Sequence, residues 1–105
     1  MSSFVVDDES AIAKRVHVTD DGLSVELADG RTIAVPLEWF PRLSHATAKE
    51  RATWRLMAVG RGIHWPALDE DISTANLLAG LHSSESQTSF KKWLAERAKA
   101  ARRRK

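Results

Sequence analysis

The feature that most constrains this chain is a run of period-two alternation, broken twice by an aspartate–glycine pair. Val16 and Val18 alternate with His17 and Thr19 before Asp20-Asp21-Gly22. Leu23, Val25 and Leu27 then alternate with Ser24 and Glu26 before Asp29-Gly30, and Ile33 and Val35 lead up to Pro36. Alternation sends every second side chain to one face of a strand, and Asp-Gly between two such runs marks a hairpin because glycine accepts positive φ. The pattern predicts a three-stranded antiparallel meander with one apolar face: Val16, Val18, Leu23, Val25, Leu27, Ile33 and Val35. A two-residue loop at Asp21-Gly22 would set Val18 opposite Val25 and Val16 opposite Leu27. At the second turn a two-residue loop mixes the faces. A three-residue loop, Ala28-Asp29-Gly30 with the glycine left-handed, instead pairs Val25 with Ile33 and Leu23 with Val35, so the longer loop is expected.

A sheet with one apolar face needs a cover. The segment from Leu37 to Leu43 reads as a short helical turn carrying Trp39, Phe40 and Leu43, kept short by Pro41. Thr47-Ala48-Lys49-Glu50 is a capping box. The helix it opens is expected to run to about Met57, burying Ala48, Ala52 and Leu56 with Thr53 and Met57, and to end at Gly60-Arg61-Gly62. Ile63-His64-Trp65-Pro66 reads as a short fourth strand, held to an edge or an end by the proline. Leu68-Asp69-Glu70-Asp71-Ile72 reads as an acidic connection, and Ser73 as the cap of a brief helix reaching Gly80. The expected fold class is α+β. Its parts are a flexible N-terminus over residues 1–10, a small domain over 11–80, a polar linker over 81–89, and a basic amphipathic helix over 90–105.

Charge divides along the same boundary. The chain of 105 residues carries 16 Lys+Arg and 14 Asp+Glu, a net of +2. Residues 1–90 hold 8 basic and 13 acidic side chains, whereas residues 91–105 hold 8 basic and 1 acidic. The C-terminal segment is therefore the one part whose charge suits a polyanion. With no cysteine, disulfides, thiol nucleophiles and cysteine-based metal sites are excluded. The N-terminus lacks the basic region and long apolar run of a secretory signal, so a cytoplasmic location is expected, with no transmembrane segment.

The motifs that carry chemistry are weak. His17, His45, His64 and His82 show no zinc-type spacing, Asp69-Glu70-Asp71 lacks the glycine and spaced oxygens of a calcium loop, and Gly60-Arg61-Gly62 lacks the lysine of a phosphate loop. No nucleophile elbow is present. No catalytic residue, metal ligand or cofactor is expected, and the chain is read as a non-enzyme. Trp39, Trp54 and Trp65 are expected as core or half-buried cover for the sheet. Trp54, on a helix continuing to Met57, would point away from the Ala52 and Leu56 face beside Arg51 and Arg55, where it either packs against the first short helix or serves as an interface anchor. Phe90, Trp93, Leu94 and Arg97 fall at helical spacing and form a docking face for this domain, a second copy or a separate partner. Lys91, Lys92, Lys99, Arg102, Arg103, Arg104 and Lys105 are the candidates for contact with phosphates.

The order of motifs also resembles a known family. Val35-Pro36-Leu37-Glu38-Trp39-Phe40-Pro41-Arg42-Leu43, Trp54-Arg55-Leu56, Gly62-Ile63-His64-Trp65-Pro66 and Leu68-Asp69-Glu70-Asp71-Ile72-Ser73 together are similar to the bacterial domain of unknown function 2442, over about residues 11–80. The resemblance implies a small α+β domain with a β-meander, and an antitoxin-like member of a two-gene module that binds a partner protein encoded nearby. It implies no catalytic residue. The candidate partner-binding residues are Trp54, Arg55, His64, Trp65, Asp69 and Asp71. The alternatives are a nucleic-acid-binding regulator that uses the C-terminal helix, and a homodimer in which the acidic body of one copy meets the basic tail of another.

Overall fold

The computed structural model of the chain describes residues 12–103. The N-terminal segment 1–10, together with Arg104 and Lys105, lies outside the described residues. Strands β1 (Ala13–Val18), β2 (Gly22–Leu27) and β3 (Thr32–Pro36) form an antiparallel sheet in the order β1-β2-β3. The second hairpin is the one expected from the pattern: Val25 pairs with Ile33 and Leu23 with Val35. Gly30 sits at φ +94 in a turn closed by Leu27 N donating to Arg31 O at 2.8 Å. The first hairpin differs from expectation by two residues, with Val18 opposite Leu23 and Val16 opposite Val25. Thr19 decides this. Its Oγ1 accepts from the backbone of Gly22 at 3.1 Å and of Asp21 at 3.3 Å, which makes Asp20-Asp21 the corner and sends Gly22 into the strand. A slip of two preserves the face, so Val16, Leu23, Val25, Leu27 and Val35 are all buried as expected, with Val18 and Ile33 half-buried. A bulge between Ala13 and Arg15 then turns Ala13 into the core.

A single 3-10 turn (Leu37–Trp39) leads into α1 (Pro41–Ser44), with proline in the first helical turn, and then α2 (Ala48–Arg51). The capping box forms in both directions: Glu50 N donates to Thr47 Oγ1, and Thr47 N donates to Glu50 Oε1. The helix does not run to Met57. It stops at Arg51, and Ala48, Ala52, Thr53, Leu56 and Met57 are exposed rather than buried. Two carbonyls explain the stop. Glu50 O accepts from both N and Oγ1 of Thr53, and Arg51 O accepts the indole N–H of Trp65 at 3.0 Å. Both are therefore occupied where a continuing helix would need them for residues 54 and 55. The Arg51 side chain is buried and donates to Leu43 O, Ser44 O and Asp20 Oδ1, tying α2 to the first hairpin.

The freed segment becomes β4 (Arg55–Met57). It pairs with β5 (Gly62–Trp65), which pairs in turn with β6 (Glu70–Ser73), giving a second antiparallel sheet in the order β4-β5-β6. The expected short fourth strand is thus the centre of a sheet, with Pro66 directly after it, and the expected acidic connection is its third strand. The α+β class stands, with two small meanders in place of one. Ser73 caps α3 (Thr74–Leu78), as expected, by accepting from Asn76 N. Leu23, Val25, Leu43, Ile63, Trp65 and Leu68 meet in a core that both sheets share. Gly60 seals the join. At φ +84, its carbonyl accepts from Ala13 N and from buried Thr74 Oγ1, and a Cβ there would stand 2.6 Å from Ala13 O.

Residues 81–86 form an irregular strap, followed by α4 (Gln87–Arg103). This helix begins three residues before Phe90 because Ser86 caps it, with Ser89 N donating to Ser86 Oγ. No helix among the described residues is long and apolar enough to cross a membrane.

Candidate functional site

In β5 the alternation Ile63-His64-Trp65 buries the flanking residues and turns His64 outward. Register places Arg55 opposite His64 on one side and Asp71 opposite it on the other. Three residues singled out separately in the sequence therefore form one rung, cation–imidazole–carboxylate, across the outer face of the second sheet. His64 Nδ1 lies 2.5 Å from Asp71 Oδ1, with both side chains partly open to solvent. At the end of the rung Arg55 stands on β4, a strand paired on one side only among the described residues, and all three β4 side chains are exposed. Leu56 is 37% exposed, Met57 38% and Val59 89%. The turn after β4 is strained, because Ala58 at φ +53 and Val59 at φ +56 both occupy the left-handed region that disfavours a β-branched residue.

The other candidates are placed differently. Trp65 is fully buried on the opposite face, its indole N–H committed to Arg51 O, and is a core residue rather than a partner contact. Trp54 is half-buried against the core, as the packing alternative expects, and is no exposed anchor. The early end of α2 removes the helix face on which that expectation stood. Asp69 is exposed in the turn before β6, at φ +51, and its carbonyl accepts from Arg42 Nη1 at 3.2 Å.

Behind β6 lies a cleft of about 250 Å³ between that strand and the strap, lined by Arg42, Asp69, Glu70, Asp71, Ser83 and Glu85 among others. Arg42 grips Glu85 with Nε and Nη2, the latter at 2.6 Å from Oε2, while Nη1 donates to Leu68 O at 3.0 Å. Hydrogen bonding from Arg42 holds the Glu85 carboxyl below its ordinary range. Burial, reinforced by the charge of Glu85 and opposed by Arg42, pushes Glu70 up to about 7, and its Oε2 is buried without a hydrogen-bond partner among the described residues. In the sequence Glu70 stands out only as part of an acidic run, and nothing local marks Arg42 or Glu85. The latter pair spans 43 residues, and no local spacing signals it. Among the described residues, no three His, Cys, Asp or Glu side chains are grouped to hold a metal ion.

The strap and α4 are fastened to the body by ring and ion contacts. His82 stacks on Trp39 at 3.8 Å between centroids, and Ser83 N donates to Trp39 O. Phe90 meets His45 edge-on and stacks on Trp93, which packs against the core with the guanidiniums of Arg42 and Arg97 over its ring at 5.2 and 4.6 Å. Arg97 forks onto Glu50, Nη1 to Oε2 at 2.8 Å and Nη2 to Oε1 at 2.9 Å, and holds that carboxyl down at about 2. Leu94 is half-buried. Of the three destinations open to the C-terminal docking face, the structure selects this domain. Lys91, Lys92, Lys99 and Arg102 remain exposed, while the side chain of Arg103, and Arg104 and Lys105, fall outside the described residues.

Comparison with known proteins gives a consistent picture. A family described as "Protein of unknown function (DUF2442)" matches residues 13–83, ending before α4. A protein of unknown function from Rhodospirillum rubrum is similar in structure, with a TM-score of 0.63 at 26% identity, over 72% of this chain and 94% of that one. An uncharacterized protein from Chromobacterium violaceum, at 23% identity, shares the fold with a TM-score of 0.61, over 82% of this chain and 75% of its own. No curated protein matches the sequence.

Proposed function

The chain belongs to the DUF2442 family of proteins of unknown function, and from that premise we propose that it is a non-enzymatic protein-interaction module, the antitoxin-like member of a two-gene pair, which binds a partner protein along β4. One observation carries this reading: the open edge of β4, where Leu56 and Met57 stand exposed beside the outward end of the Arg55–His64–Asp71 rung. An edge strand has backbone donors and acceptors facing outward, and a partner's extended segment can satisfy them. Leu56 shares its rung with Ile63 and Ile72, so an added strand with an apolar residue opposite Leu56 would extend a core row already in place. An acidic residue opposite Arg55 would complete the outer rung in the same way. The His64–Asp71 pair then serves as cross-strand bracing rather than acid–base machinery. Among the described residues the one side-chain partner of His64 is Asp71.

Co-expression with the product of the adjacent gene tests the proposal. The two proteins should co-purify, and Leu56→Lys, at the 37% exposed end of the row it shares with Ile63 and Ile72, should weaken the complex at least tenfold while the free chain stays folded, its melting temperature falling by no more than about 8 °C. A chain that emerges alone and monomeric from every such purification contradicts the reading.

A further inference from the structure

Helix α4 carries two faces with different destinations. At 3.6 residues per turn, Phe90, Trp93, Leu94 and Arg97 share one side, and this side is spent on the body through His45, Arg42 and Glu50. Lys91, Lys92, Lys99 and Arg102 fall on the other side, within about 100° of arc, and reach along about 16 Å of axis at 1.5 Å per residue. All four are exposed, and no carboxylate among the described residues pairs with them. The Arg97–Glu50 fork and the ring contacts of Trp93 prevent the helix from rolling, so the basic row is held outward in a fixed direction.

We infer that this outward row of α4 binds the phosphate backbone of duplex DNA, without regard to base sequence. Charge complementarity supplies the attraction, and the rest of the surface selects the partner. A duplex carries one charge per 1.7 Å of axis, so 16 Å of it presents roughly nine phosphates to the four cations. Single strands are held by stacking bases on aromatic rings, but both aromatic residues of α4 face the body. Stable anchoring to a lipid surface takes an apolar face as well as a basic one, and that face is likewise occupied. A protein interface needs an anchor that fills a pocket, and the row has only lysine stems, one arginine and the alanine between them. Residues 12–90 carry 10 acidic side chains against 8 basic, so the body offers phosphate no net attraction and the cationic charge is concentrated on the arm.

The test is fluorescence anisotropy of a fluorescein-labelled 20-base-pair duplex of mixed sequence, titrated with the full chain between 50 and 200 mM NaCl. Four phosphate contacts give a slope of log K against log salt of about −3.6, a loss of roughly 150-fold in affinity across that range. The variant Lys91→Gln, Lys92→Gln, Lys99→Gln, Arg102→Gln should lose nearly all of that slope, and Lys99→Gln alone about one unit of it. Because these exposed side chains make no hydrogen bond or ion pair among the described residues, circular dichroism of both variants should match the parent. The fourfold variant retains Arg103, Arg104 and Lys105. Binding by it with the parent's slope would assign the effect to the terminus and overturn the inference. Absence of binding by the parent at 50 mM salt would overturn it too, as would equal affinity for polyglutamate or for phosphatidylserine vesicles.

Discussion

Replacing Glu50 by glutamine should loosen α4 from the body while leaving the body folded. The carboxylate takes two hydrogen bonds from Arg97 and holds the Thr47 backbone N–H at 2.9 Å with the same Oε1 that receives Arg97 Nη2. Its pKa falls from an ordinary 4.5 to about 2, caused first by the Arg97 hydrogen bonds and opposed by burial. At about 1.4 kcal/mol per unit, such a fall corresponds to about 3 kcal/mol. The two side chains are 31% and 23% exposed, however, and solvent screens the pair; part of the fall also belongs to the capping box. The coupling between the two residues should then be about 1 kcal/mol. A double-mutant cycle with Arg97→Met isolates it, since glutamine keeps an oxygen for Thr47 N. Hydrogen exchange of the α4 amides between Phe90 and Arg97 should quicken about fivefold at pH 7 in either single variant. The folded pKa lies below the unfolded one, so the contribution is present in full above about pH 5 and disappears as pH falls from 4.5 towards 2. A coupling below about 0.3 kcal/mol at pH 7, or unchanged exchange, would refute the claim that this pair holds the arm.

Glu70 has the opposite sign. Its folded pKa, raised to about 7 mainly by burial, means that stability falls as pH rises from 4.5 to 7 and stays reduced above that. Glu70→Gln should therefore stabilise the protein by about 1–2 kcal/mol at pH 8, after allowance for its partial exposure, and hardly at all at pH 4. Equal gains at both pH values in urea denaturation would count against it. Trp65→Phe strips the donor from Arg51 O and leaves a void in the core, so a loss of about 2–4 kcal/mol is expected in denaturant titration. A loss under 1 kcal/mol would show that the indole bond does not end α2. Gly60→Ala meets both a positive φ and the Ala13 carbonyl, whereas Gly30→Ala meets only the positive φ, with nothing within 4 Å. The first should cost at least about 2 kcal/mol and the second about 1, compared by melting temperature.

What could be read from the chain tracks how local its cause is. The first sheet follows from alternation and turn residues, and even its misplaced register kept the right face because the slip was even. The hydroxyl of Thr19 set that register, a detail that hydrophobic matching does not weigh. The end of α2 depends on an indole fourteen residues further on, so a window opened by a sound capping box reads naturally as a longer helix. Once that segment is taken as helix, β4 disappears and the β4-β5-β6 sheet with it. The strand character of β6 is further hidden by Glu70 and Asp71, which poorly suit a strand until Asp71 meets His64 across the sheet. Arg55, His64 and Asp71 stand out as residues, but their adjacency belongs to the register of strands that local pattern does not reveal. The docking face of α4 was legible from spacing alone, whereas its counterpart residues Arg42, His45 and Glu50 lie more than forty positions away.

Partner binding at the open edge of β4 is tested most directly by amide hydrogen exchange on the co-purified complex. If the partner adds a strand there, the amides around Arg55–Met57 should slow at least tenfold on binding, while those of β1 and β2 stay as they are in the free chain. Protection confined to α4 or to the first sheet, with β4 exchanging as fast as before, would contradict it.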